Sequence, residues 1–313
     1  MGRIFWVMCW LAWFLSGCER VEEAPSAASN EPAALMQLAF PGWKPAGPES
    51  VREIASPAEP GKAPETGSYT LSPGLVLIPG GDRVVLVVVG VPADAQGNSQ
   101  AGHASQAQLG AYWFEKRDAR WFKVAEQPEF AQEGFSGNPG ELRQVELGGG
   151  KIALAVENGS CWQGSCGSWL TLYAVGEQQL SKVFGDLLSS DSEGASSGCS
   201  DLLNLGAGHQ QRVALDDYSS GSGCYQIVGR WSIAPATAGP GQLSIEYGGL
   251  QSSAEQVPAL KKTAVPAKAE GSEGEKATEE YLVTLSKLQQ QQVYNYANGR
   301  YVLVKGTNPN PGL

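Results

Sequence analysis

One pattern constrains the fold of this 313-residue chain more than any other, and it occurs three times. Leu75-Val-Leu-Ile-Pro-Gly-Gly-Asp-Arg-Val-Val-Leu-Val-Val-Val-Gly90 is followed by Val145-Glu-Leu-Gly-Gly-Gly-Lys-Ile-Ala-Leu-Ala-Val156. A third copy runs Leu203-Asn-Leu-Gly-Ala-Gly-His-Gln-Gln-Arg-Val-Ala-Leu215. Each reads as a short apolar strand, a glycine turn suited to positive φ, a basic residue and a second apolar strand. A polar loop then leads to a strand carrying Trp113, Trp169 or Trp231, spaced 56 and then 62 residues apart. A further hairpin closes each unit, at 119–124, 179–184 and 242–247. Val293-Tyr-Asn-Tyr-Ala-Asn-Gly-Arg-Tyr-Val-Leu-Val304 repeats that closing hairpin around Asn-Gly.

Four antiparallel strands in about 60 residues resemble the blades of a β-propeller, which bury their faces only by stacking on neighbours. The resemblance implies an all-β fold of three to four four-stranded repeats, with a twisted β-sandwich as the alternative. Units are expected at about 70–130, 135–188 and 198–250 of a repeat domain spanning 68–250. Residues 280–313 form a last partial repeat, which 69–71 would complete if the ring closed. Residues 281–288 also fit one face of a helix.

Two stretches have a composition that buries little. Residues 18–67 are rich in Ala, Pro, Glu and Ser and read as a disordered tether. Within it, 32–40 fits one short docked helix, and Trp43 is expected to be an exposed aromatic. Residues 251–279 read as a low-complexity insertion.

The start of the chain carries a second resemblance. Arg3 precedes an apolar run, Ile4 to Leu15, too short to cross a bilayer but suited to a signal-peptide core. Leu15-Ser16-Gly17-Cys18 resembles the lipobox of bacterial lipoproteins. That resemblance implies a signal peptide at 1–17, lipidation of Cys18, and anchoring in a membrane by two or three acyl chains. The expected location is the cell envelope. Glu19, rather than Asp, after the cysteine leans toward the outer membrane facing the periplasm. Without residues 1–17 the chain has 21 basic and 32 acidic residues, a balance of −11 that disfavours nucleic acid. Glu115-Lys-Arg-Asp118 is neutralised within itself and reads as a hairpin turn.

Cys161, Cys166, Cys199 and Cys224 remain, an even number in an oxidising compartment, and read as two disulfides. Three pairings are open; Cys161–Cys166 with Cys199–Cys224 is favoured. No metal or cofactor site is expected, since the Asp-containing loops supply too few oxygens for calcium. Gly194-Ala-Ser-Ser-Gly198 matches the nucleophile-elbow pattern, which needs a strand before it and a helix after it, but its surroundings read as a Ser/Gly-rich loop. The only histidines are His103 and His209, expected on opposite faces. No catalytic residue is assigned. The loops at about 92–108, 157–168 and 216–225 are expected to converge, presenting Asn158, Trp162, Gln163, Asp217, Tyr218 and Tyr225 as a binding face for an envelope protein or glycan. The expected function is a non-catalytic binding or scaffolding lipoprotein. The alternatives are a glycan hydrolase, which needs two carboxyl groups about 5–10 Å apart, and an inhibitor of a secreted enzyme.

Overall fold

The computed structural model describes residues 25–55, 66–195, 197–214, 223–257 and 280–311. Cys18, Asp217 and Tyr218 lie outside the described residues, as does 258–279 of the expected insertion.

Over the described residues the chain is all-β and antiparallel, built as two sheets with two short α-helices and one 3-10 turn. The first sheet has five strands in sequence order: β1 (Val51–Ala55), β2 (Thr66–Gly80), β3 (Arg83–Pro92), β4 (Ala107–Arg117) and β5 (Arg120–Glu133). The second sheet contains β6 (Glu141–Gly148), β7 (Lys151–Trp162), β8 (Ser165–Val175), β9 (Leu180–Asp191), β10 (Gln210–Ala214), β11 (Tyr225–Ile233), β12 (Leu243–Val257), β13 (Glu280–Ala297) and β14 (Arg300–Lys305). Its order is β10-β13-β12-β11-β9-β8-β7-β6, with β14 on β13.

Glycines sit where the hairpins need positive φ. Gly148, Gly149 and Gly150 all have φ between 59° and 103° in the β6–β7 turn, and Asn298-Gly299 turns β13 into β14 with φ of 52° and 81°.

The long apolar run of β3 follows from burial on both faces. Val85, Val87 and Val89 meet Ile152, Leu154 and Val156 of β7, together with Tyr173 and Leu180, and so join the two sheets. Val84, Leu86 and Val88 point the other way, onto a cover made by the segment expected to be a tether. Helix α1 (Pro32–Ala39) places Leu35 and Met36 there, and Trp43, only 3% exposed, donates its indole N–H to the Leu71 carbonyl at 2.9 Å. The tether reading is therefore corrected for 25–55: helix α1, Trp43 and β1, which pairs with β2, form a third layer on the first sheet. Trp43 is buried, not exposed.

Strand β7 is likewise two-sided. Its Ala153 and Ala155 face a separate core with Leu170, Leu172, Phe184, Ile227, Ile245 and Tyr247. Leu147 of β6 and Tyr301 of β14 share that core, because the second sheet curls into a half-barrel. Hydrogen bonds from Gly149 N to Ala236 O (2.9 Å) and from Gly241 N to Leu147 O (2.6 Å) tie the β6–β7 turn to the β11–β12 connection. Trp231 also reaches across the curl, donating to Glu157 Oε1 at 2.9 Å while the Arg143 guanidinium lies over its ring at 4.5 Å. The C-terminal Asn308 donates to Asp186 Oδ1 and to the Leu187 carbonyl, both at 2.8 Å.

The repeats are realised unevenly. Strands β2–β5 and β6–β9 are four-stranded units with Trp113 and Trp169 in their third strands, and they stack face to face. The third copy departs. Its first strand is absent, because 197–204 is helix α2 (Ser197–Asn204), and β10 pairs with β13 instead of making a hairpin. Gln226–Val228 of β11 pairs with Ser189–Asp191 of β9, so the second unit runs into the third as one sheet, whereas propeller blades remain separate. Residues 69–71 belong to β2, between β1 and β3, and do not complete the last unit. The 281–288 segment is strand, within β13, and β12 extends through Val257 into the expected insertion.

Burial sets the response of this core to alkali. Desolvation raises the Tyr112, Tyr173, Tyr247 and Tyr294 phenols well above the ordinary range and pushes Tyr301 up to about 12. The folded chain thus holds phenolic protons that the unfolded chain releases from about pH 10, so stability falls as pH rises beyond that point. The limiting slope is ~1.4 kcal/mol per pH unit for each such tyrosine. Urea midpoints are expected to match at pH 7 and 9 and to drop steeply between pH 10 and 12; a flat profile would contradict this burial.

Candidate functional site

The β7–β8 hairpin positions the most exposed large aromatic among the described residues. Trp162 and Ser165 are cross-strand partners on either side of a two-residue turn, in which Gln163 and Gly164 have φ of 49° and 83°. One register step down the hairpin, Cys161 faces Cys166 and the two are disulfide-bonded, with Cα atoms 4.0 Å apart. The closed loop is short, and in the chain-entropy account such a bond contributes about 2 kcal/mol. Its geometric role is the larger one: it fixes the strand pair directly beneath the tip. Gly164 also packs on Gly194, whose N–H bonds to the Gly164 carbonyl at 3.0 Å; a Cβ at 164 would fall 1.9 Å from the Gly194 oxygen.

Trp162 is 66% exposed, and one side of its ring stacks on His103, with centroids 5.6 Å apart and planes 28° apart. The His103 loop is held in place by backbone bonds from Ser136 N to His103 O (3.1 Å) and from Gly137 N to Ser105 O (2.8 Å). A groove of about 670 Å³ runs from His103 past Phe135, Ser136 and Asn138, over residues 159–161, 166–168, 189–191 and 226–228. It crosses the point where β9 and β11 join. Among its described lining residues there is no Lys or Arg, and Asp191 is the only carboxylate. A larger depression, about 930 Å³, lies over Arg230, Glu246, Lys287 and Gln289 to Gln291; its one aromatic, Tyr247, is buried and engaged with Gln292.

Only part of the expected face gathers here. Trp162 and Gln163 occupy the hairpin tip. Asn158 is 8% exposed and faces inward, donating to Glu133 Oε2 at 2.9 Å; the Tyr173 hydroxyl donates to the other oxygen of Glu133 at 2.6 Å. Tyr225 is 4% exposed and belongs to the half-barrel core. Asn158 and Tyr225 are therefore removed from the face. Asp191 and Gln226 line the groove without having been singled out in sequence, and His103, given no role there, supports the indole. The signal for Asp191 was slight: it ends a strand of Ser and Asp just before a glycine-rich turn.

Cys199 is bonded to Cys224, which fastens α2 to the start of β11, with Leu202, Leu203, Val283 and Leu285 around the bond. The Gly194–Gly198 motif does have strand β9 before it and α2 after it, so the loop reading is corrected; Ser196 itself lies outside the described residues. Its sheet is antiparallel, and His103 is taken up by Trp162. No group of acidic, His and Cys side chains suited to a metal occurs among the described residues. Among the same residues no helix is long and apolar enough to cross a membrane.

Comparison with protein-family models, with curated proteins and with solved structures found no match.

Proposed function

We propose that this chain is a lipid-anchored envelope protein whose β domain binds without catalysing, through the groove capped by Trp162. The anchor part rests on the lipobox Leu15-Ser16-Gly17-Cys18 and the short apolar run before it. The observation that carries the binding part is an exposed indole held rigid from three sides: the disulfide below it, His103 against its face, and Gly194 beneath the turn. An aromatic left this exposed costs solubility, and rigid aromatics beside a concavity are characteristic of binding sites. The blade-like stacking of the first two units serves as the scaffold, covered on its far side by the N-terminal layer. Among the described lining residues the groove has one carboxylate, Asp191, where a glycan hydrolase uses two.

The test is photo-crosslinking of the full-length protein in intact cells, with the photoreactive residue at Gln163 or, as a control, at Glu246 over the larger depression. Adducts are expected at 163 and not at 246, and Trp162→Ala should remove them. Adducts at 246 alone, or at 163 regardless of Trp162, would overturn the assignment.

A further inference from the structure

We infer that the groove takes a neutral oligosaccharide; this rests on the reading of the groove as the binding site. Three features of its lining narrow the ligand. The first is charge: with Asp191 present and no Lys or Arg among the described lining residues, a phosphate, sulfate or carboxylate would meet no permanent cation there.

The second is the backbone. Three of the four strand segments of the floor, 166–168, 189–191 and 226–228, are paired on both sides, whereas 159–161 is paired on the β8 side alone. Gly159 faces Ser168, Cys166 faces Asp191, Asp191 faces Gln226, and Gln226 faces Leu250. Over 166–168, 189–191 and 226–228 a peptide therefore finds no free strand edge, and the main-chain ladder that gives extended peptides their affinity is closed to it across most of the floor.

The third is the side-chain chemistry. The side chains of Ser160, Ser168 and Gln226 make no hydrogen bond to another described residue, and all three residues line the groove. Hydroxyls and a carboxamide both donate and accept, which matches the hydroxyls of a sugar. The ring of Phe135 in the lining, and the indole of Trp162 stacked on His103 at the groove's edge, supply flat apolar surfaces for the C–H faces of pyranose rings.

Isothermal titration of the full-length protein in detergent tests the inference. The probes are neutral tetrasaccharides of β1,4-linked glucose, β1,4-linked N-acetylglucosamine and α1,4-linked glucose, with a polyglutamate peptide as the anionic comparison. Saturable binding is expected for at least one tetrasaccharide and not for polyglutamate. Trp162→Ala should weaken it at least tenfold and Gln226→Ala about threefold, while both exposed-site variants keep the wild-type unfolding midpoint. Binding of polyglutamate alone, or no saturation with any tetrasaccharide, overturns the glycan assignment. The two readings fail separately: a protein adduct at Gln163 with no glycan binding leaves the groove as the site and removes only the sugar, whereas absence of Trp162-dependent adducts removes the groove itself.

Discussion

A chain that begins at residue 68 is expected to aggregate or unfold, whereas one that begins at residue 25 is expected to fold as the full-length protein does. The shorter form lacks α1, Trp43 and β1, and so uncovers Leu71, Val84, Leu86, Val88, Tyr112 and Phe114 on one side of the first sheet. A contiguous apolar face of that kind drives association. It also leaves the edge of β2 unpaired, since β1 covers Val51↔Thr70 through Ala55↔Thr66. The single substitution Trp43→Ala isolates the effect. It removes a buried indole and its hydrogen bond to Leu71, and losses of about 3–5 kcal/mol are typical for deleting a large aromatic from a core. Urea unfolding of Trp43→Ala and gel filtration of the two truncated forms measure this. Equal stability of the 68-onward form would show that the N-terminal layer is only resting on the sheet.

The second large effect is expected at Glu133, a carboxylate buried near the junction of the two sheets. Its two oxygens accept from Tyr173 and from Asn158, and no cation lies in an ion pair with it among the described residues. Tyr173→Phe removes the shorter bond and leaves a buried carboxylate oxygen without its donor, at a cost of about 2–3 kcal/mol. Glu133→Gln keeps an acceptor for one partner and should cost less. Replacing both groups, as Tyr173→Phe with Glu133→Leu, should recover only part of the loss, because the buried Asn158 amide then lacks its acceptor; adding Asn158→Leu should recover more. A double-mutant cycle read by urea unfolding gives the coupling directly. Additive losses would mean that the two side chains do not depend on each other.

The parts of this fold legible in sequence were those written by short-range chemistry. Asn298-Gly299 marks a two-residue hairpin because both residues tolerate positive φ, and it turns β13 into β14. The spacing of Trp113, Trp169 and Trp231 marks strands, and in the structure these indoles join elements distant in sequence. Trp113 bonds to the Gly176 carbonyl of the other sheet at 3.1 Å, and Trp231 to Glu157.

The N-terminal layer was hidden because its few apolar residues lie in a Pro/Ala-rich context that, taken alone, cannot fold. Its complement was visible: six consecutive apolar residues from Val84 to Val89 need cover on both faces, and one stacked sheet supplies only one. The third repeat misled because a glycine-rich turn between apolar segments follows a helix as readily as a strand. Gly206 and Gly208 here follow α2. The binding face was legible at Trp162 and not at Asn158, since the partner that draws Asn158 inward, Glu133, lies 25 residues away on the other sheet.

The most direct test of the groove as the contact face is hydrogen–deuterium exchange of the full-length protein in its own membranes, compared with the same protein in detergent. Slower exchange in the membranes is predicted for the 162–165 tip, the 101–106 loop and the turn at 134–138, with no change across 246–249 and 287–291. Protection confined to 246–249 and 287–291, or identical exchange at the hairpin tip in both settings, would contradict the account.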